Sequence, residues 1–276
     1  MNRGRTSTTT PGKSCFDDIY NRPDPRAYFR RLAPLQYEIP QQAQDAFRRA
    51  RADRAAAGDT GGPVTVLDLC CSYGINAALL NHDLTLAQLY AHYTGPETQS
   101  LTTAELIDLD KEFYASRRRE DATVAIGLDA ADQAVRYALA VGLLDEGYAE
   151  NLEQQAPGEQ LRRAVARTGL ITVTGGIGYI TRRTFEALLE CAEIPLWVTA
   201  FVLRTVDYEP VISALADFGL ATETDPAQTY PQRLFTGPAE QRNAVEQARL
   251  LGHDPTGLEA EGRYYTRLYQ SRPRAA

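Results

Sequence analysis

Residues 63–76 read PVTVLDLCCSYGIN. PVTVLDLCC is short, apolar and β-rich, which marks a strand buried on both faces. Ser72, Tyr73 and Gly74 turn the chain, and INAALLNHDL enters a helix. The pattern repeats downstream. TVAIGLD (123–129) predicts a second buried strand, followed by the helical run AADQAVRYALAVGLL. A short third strand is expected over Tyr148 to Glu153, then a helix at 158–167. LITVTGG (170–176) gives a fourth strand and 181–192 a helix. LWVTAFVLR (196–204) gives a fifth strand, and YEPVISALADFGL a helix ending at Gly219. QRLFT (232–236) reads as a short strand, 238–251 as a helix and RYYTRLYQ (263–270) as the last strand. Strands alternating with helices predict an α/β fold with a doubly wound, mostly parallel sheet of seven strands.

Outward from this core lie segments of other character. Residues 1–14 are polar and rich in Thr and Gly, and are expected to be a disordered leader. Residues 15–58 combine Phe16, Tyr20, Tyr28, Phe29 and Tyr37 with Pro turns and a helical run at 41–57. So many aromatics do not suit a solvated linker, and an N-terminal helical cap is expected. GDTGG breaks the last helix. Residues 59–276 form the main domain, with a helical insertion at 84–119. Thr102 or Thr103 with Glu105 is a candidate cap for its second helix.

Composition narrows the function. The chain has 276 residues, 43% hydrophobic and 24% charged, enough to bury a core without disulfides. A formal net charge of -7 argues against a nucleic-acid partner, because phosphate contacts need a basic footprint. No run reaches 18 apolar residues and no apolar signal region opens the chain, so no membrane association is expected. Cys15, Cys70, Cys71 and Cys191 form no CxxC pair, and His82, His92 and His253 fall in no ligand motif. No metal is expected, and a reducing cytoplasm is the expected setting.

In doubly wound sheets, ligands bind at the carboxyl ends of the strands. The first strand leads into Asp68, Cys70, Cys71, Ser72, Gly74 and Asn76. The second ends in Asp129, followed by Ala130. A carboxylate there can accept two hydrogen bonds from a ribose diol. The third is expected to end near Asn151, Leu152 and Glu153, where Asn or Glu can accept an exocyclic amine. The fourth ends in Thr174, Gly175 and Gly176, where missing side chains leave room for a substrate. Each residue also has a structural reading. Asp68, Gly74 and Asp129 suit caps and turns, and Ser72 and Asn76 suit the start of a helix. Cys70 and Cys71 suit small buried packing.

At these residues the chain resembles the class I S-adenosylmethionine (SAM)-dependent methyltransferase family. VLDLCCSYGINAALL resembles its first motif, AIGLDAADQAVRYA its ribose-binding second strand, and LITVTGGIGYI its fourth strand beside the reacting methyl. LWVTAFVLR to RYYTRLYQ resembles its fifth strand and final hairpin. The resemblance spans roughly residues 60–272. It implies a Rossmann-like methyltransferase fold and SAM binding by Asp68, Cys70, Ser72, Gly74, Asn76, Asp129, Ala130, Asn151, Leu152, Thr174 and Gly175. Cys70 and Ser72 stand where the family usually has Gly, which is tolerable if their φ angles stay negative. Asp129 also lies later than the family's second acid, because the 84–119 insertion intervenes.

The implied activity is in-line methyl transfer to a small molecule. No base stands out. Tyr20 and Tyr179 are the candidate catalytic residues, with Tyr28 and Tyr37 as cap residues near the substrate. Aromatic faces attract a sulfonium, although packing explains such residues equally well. Two other uses of the fold stay open. One is SAM chemistry without methylation, such as cyclisation to azetidine-2-carboxylic acid with release of methylthioadenosine, or aminocarboxypropyl transfer. The other is an inactive SAM-binding scaffold. The partner is thus a small molecule or SAM alone, and the oligomeric state is open.

Overall fold

A computed structural model of the chain describes residues 17–58 and 62–274. The expected leader, Cys15 and Phe16 lie outside the described residues. The chain starts with α1 (Asp17–Tyr20), α2 (Arg26–Leu32) and α3 (Ile39–Ala56). Then come β1 (Val66–Leu69), α4 (Ile75–Asn81), α5 (Leu86–Thr94), α6 (Pro96–Gln99) and α7 (Thr103–Ala115). The middle holds β2 (Ala125–Asp129), α8 (Asp132–Ala140), β3 (Glu146–Ala149), α9 (Glu159–Ala166), β4 (Leu170–Thr174) and α10 (Arg182–Leu189). The chain closes with β5 (Trp197–Leu203), α11 (Glu209–Asp217), β6 (Leu220–Thr224), β7 (Tyr230–Leu234), α12 (Pro238–Leu250) and β8 (Arg263–Pro273).

The sheet runs β3-β2-β1-β4-β5-β8-β6, with β7 also paired to β8. The first five strands are parallel, and β8 lies antiparallel to β5. The α/β fold with a doubly wound, mostly parallel sheet is the architecture that the alternating strands and helices predict. The strand count differs: eight, not seven. The additional strand, β6, is an outer strand of sequence LATET that is largely exposed past Leu220. It therefore lacks the apolar run that marks the inner strands. β8 is long enough to pair twice along one side, with β6 against residues 269–273 and β7 against 263–266. The third strand also shifts. It occupies Glu146–Ala149 rather than 148–153, in register with Ile126 to Asp129.

Apolar side chains cover both faces of the sheet. Leu67, Leu69, Ile126 and Leu128 pack with Leu161, Phe185 and Leu188 on one face. The other face carries Val66 and Phe201 together with Tyr28, Phe29, Ile39 and Phe47 of the N-terminal helices. The cap thus shares a core with the sheet. α3 is fastened by Arg54, which is fully buried and donates to the carbonyls of Gly169 and Pro195 at the start of β4 and ahead of β5. The insertion is built by propensity and caps. Thr85 with Gln88, and Thr102 with Glu105, form capping boxes on α5 and α7. No helix among the described residues is long and apolar enough to cross a membrane.

Candidate functional site

Strand alternation sets Asp68 on the opposite face to Leu67 and Leu69. Its sheet neighbours are Gly127 and Thr172. It is 2% exposed. Its Oδ1 accepts from the Asn76 amide at 2.8 Å and from the Thr172 hydroxyl at 3.5 Å. Its Oδ2 is buried and has no hydrogen-bond partner. Burial, helped by the nearby Asp129 charge, raises its pKa to about 7, against the pull of the Asn76 and Thr172 hydrogen bonds.

The loop after β1 has an unusual backbone. Cys70 (φ 60°), Ser72 (φ 49°) and Gly74 (φ 75°) all occupy the left-handed region. The condition of negative φ, under which side chains at Cys70 and Ser72 are tolerated without strain, is thus not met. The loop follows a glycine-type path, and a side chain there costs roughly 1–2 kcal/mol per residue. The path is held by Asp129, whose Oδ2 accepts from Ser72 N and whose Oδ1 accepts from Ala131 N, both at 2.9 Å. Burial nevertheless raises the Asp129 pKa. The Ser72 hydroxyl is buried without a partner. Cys70 fills the space over Gly176, where an added Cβ would stand 2.6 Å from its sulfur. Cys71 is buried, and its thiol is pushed far up, which leaves it unreactive.

The end of β4 continues the polar surface. Thr174 donates to Asn76 Oδ1 at 3.2 Å, and the Tyr37 ring lies against Tyr28 beside it. A polar chain therefore runs from Thr174 through Asn76 to Asp68. Gly175 has φ 68°, and a Cβ there would meet the Tyr37 hydroxyl at 2.9 Å. Tyr20 packs edge-on against Tyr28, and Tyr28 against Tyr37 and Tyr73. Tyr20 and Tyr37 both feel the charge states of Tyr179 and Arg233, so these groups ring one region. Burial pushes the Tyr20, Tyr28 and Tyr37 hydroxyls well up, so each is a neutral hydrogen-bonding group rather than a phenolate.

The predicted residues of β1, β2 and β4 converge, and so does the cap. Those after β3 do not all join them. Leu152 is 3% exposed and belongs to the core on the other face. The Asn151 side chain accepts from Glu153 N, and so shapes its own turn. The Glu153 carboxylate accepts from Thr181 N and from the Thr181 and Thr184 hydroxyls at the start of α10, which removes it as an acceptor for a ligand amine. Ala130 is exposed beside Asp129.

The sequence reading missed three contributors. Tyr73 donates to Ile19 O, and its hydroxyl accepts from Arg22 N, which pins the turn to the N-terminal segment. Asn21 bonds Asp132 and Gln133 at the start of α8. Gln232 of β7 brings its amide nitrogen 3.7 Å from the Cβ position of Gly175, and its Oε1 is buried without a partner. A polar residue on a short outer strand carries no sequence signal for this role.

No family model matches the chain, and no curated protein matches its sequence. Solved structures resemble it distantly. The SAM-bound magnesium protoporphyrin IX methyltransferase of Synechocystis PCC 6803 aligns with a TM-score of 0.42 at 14% identity, over 99% of this chain and 100% of that one. The N-terminal domain of EvdMO1, solved in the presence of S-adenosylhomocysteine (SAH) and D-fucose, aligns at 0.42 and 11%, over 96% and 100%. A SAM-dependent methyltransferase of Geobacter sulfurreducens, in complex with SAH, aligns at 0.34 and 10%, over 76% and 85%. Likenesses this distant say nothing about the chemistry of this chain, which rests on its own strand order and site residues.

Proposed function

We propose that this chain is a SAM-dependent methyltransferase that acts on a small molecule. The observation that carries this is the pair of buried oxygens without partners, Asp68 Oδ2 and Ser72 Oγ, in the first βα loop of the sheet. Buried polar atoms are nearly always satisfied, so such a pair points to a ligand with donors. Asp129 is close enough for its charge to raise the proton affinity of Asp68. That field suits a cation and disfavours a pyrophosphate, which separates SAM from dinucleotides. Tyr20, Tyr28 and Tyr37 add aromatic faces on the same side.

SAM supplies a methyl group already activated on a sulfonium. The protein has then to bind, orient and exclude water. Asp129 keeps a second lone pair on each oxygen for a ribose diol, while two backbone N–H groups hold its carboxylate still. Asp68 and Ser72 would take donors of the same ligand. The acceptor would sit at the end of β4 near Gly175, bordered by the neutral hydroxyls of Tyr20 and Tyr37 and by Tyr179.

Two measurements test this reading. Calorimetry should show SAM binding that is weakened by Asp68→Asn. Incubation with SAM and a panel of small acceptors, read by mass spectrometry, should yield SAH. Absence of SAM binding overturns the proposal. Release of methylthioadenosine from SAM alone also overturns it, in favour of attack within SAM.

A further inference from the structure

We propose that the Gln232 amide is the acceptor-recognition group of this site. The acceptor would be an uncharged molecule presenting a hydroxyl or carboxamide, not a carboxylate or phosphate. This rests on the methyltransferase reading and adds the substrate class to it. Gln232 is 2% exposed, yet neither end of its amide makes a hydrogen bond to the described residues, and Oε1 is buried. An unsatisfied buried amide costs about 1–3 kcal/mol, and apolar side chains of similar volume avoid that cost. The amide is also placed with care. Gln232 O accepts from Glu38 N at 2.8 Å, which locks β7 to the segment that carries Tyr37. Its nitrogen and the Tyr37 hydroxyl converge on the side-chain position of Gly175, at 3.7 and 2.9 Å.

The charges around it fix the class. Arg233, the next residue, is spent on Glu240 through bonds of 2.6 and 3.0 Å, and both side chains are about 3% exposed. Its guanidinium is engaged before a ligand arrives, and Glu240 offsets part of its charge. Asp68 and Asp129 lie on the far side of Thr174 and would repel an anion. A primary amide offers one acceptor and two donors, the complement of a hydroxyl or carboxamide. In the transfer, an O–CH3 or N–CH3 bond forms and the S–CH3 bond breaks. The electron pair stays on sulfur, and the acceptor's proton passes to water.

The test uses the full chain saturated with SAH. Ligand-observed NMR reads binding of a fragment set divided into neutral hydroxy and carboxamide compounds and their carboxylate and phosphate counterparts. Neutral fragments should bind, and Gln232→Leu should weaken them at least tenfold with SAH affinity unchanged. Gln232→Asn should keep part of the affinity. Gln232→Leu should melt no lower than the wild type, because it removes an unsatisfied amide, whereas a merely structural Gln would lower the melting point. Binding of the anionic set, equal binding by Gln232→Leu, loss of SAH affinity in that variant, or no neutral binder at all overturns the proposal. Failure of SAH to bind the wild type instead defeats the underlying methyltransferase reading.

Discussion

Two buried carboxylates sit on the same side of this protein and are treated in opposite ways. Asp110 in α7 is fully buried and accepts from the Tyr93 hydroxyl at 2.5 Å, the Tyr137 hydroxyl at 2.6 Å and His92 Nε2 at 2.6 Å. Tyr114 closes the cluster through the Tyr93 hydroxyl at 2.8 Å. Asp68 has one oxygen served by Asn76 and Thr172, and one that is not served at all. A carboxylate completed by protein donors holds the insertion against α8 and has nothing left for a ligand. One left half complete carries an energetic cost that ligand donors can relieve. Burial is the same in both. The completeness of the hydrogen bonding is what differs between them.

The comparison breaks most easily at Asp110. Asp110→Ala leaves buried phenols and an imidazole without their acceptor, and should cost about 3–5 kcal/mol of folding free energy. Urea unfolding measures this. A loss under about 1 kcal/mol would place Asp110 outside the framework.

Next comes pH. The folded pKa of Asp68, raised to about 7, lies above the unfolded value of about 3.9. Between these values the folded state binds more protons than the unfolded one. Stability from this group is therefore complete near pH 4, falls as pH rises towards 7, and is flat above. At about 1.4 kcal/mol per pKa unit the total change amounts to roughly 4 kcal/mol, and Asp68→Asn should abolish it. Parallel melting curves of the two proteins across this range would refute the assignment.

Binding is the third handle. Asp68→Asn should leave folding stability at neutral pH intact or improved, and should weaken SAM by about 10- to 100-fold. That is the 1.5–3 kcal/mol of a hydrogen bond to a charged group. Titration calorimetry checks it, and unchanged affinity would make Asp68 as structural as Asp110.

The smallest effect lies in the loop itself. Cys70→Gly removes a side chain held at φ 60° and should stabilise by about 0.5–1 kcal/mol, the relief of strain exceeding the added entropy of the unfolded chain. A lower melting point would mean that Cys70 packing over Gly176 outweighs the strain.

Much of this was legible in one dimension. Inner strands such as VLDL and LITVT are buried throughout, so their apolar runs announce them. The Thr102–Glu105 capping box is local and appears as read. Asp68, Gly74, Asn76, Asp129, Thr174 and Gly175 converge because each follows or ends a parallel strand, and the fold gathers those ends on one side. β6 was missed because an exposed outer strand has no apolar run. The third strand ends earlier than read, at Ala149, and beyond it Leu152 packs into the core and Glu153 bonds the start of α10. The positive φ at Cys70 and Ser72 is not written in the local sequence, because the turn is held by Asp129, 57 positions from Ser72.

Periodicity, turn residues and strand-end chemistry by themselves determine that this is a doubly wound α/β protein and point to its first loop as the candidate site. They act over a few residues and depend on local residue order alone. Whether a buried polar atom finds a partner is a long-range matter that no local pattern encodes. Only the tertiary structure gives Asp110 its donors, withholds them from Asp68, Ser72 and Gln232, and sets Gln232 beside Gly175. Those decisions depend on how distant elements pack, and they distinguish the site from the scaffold.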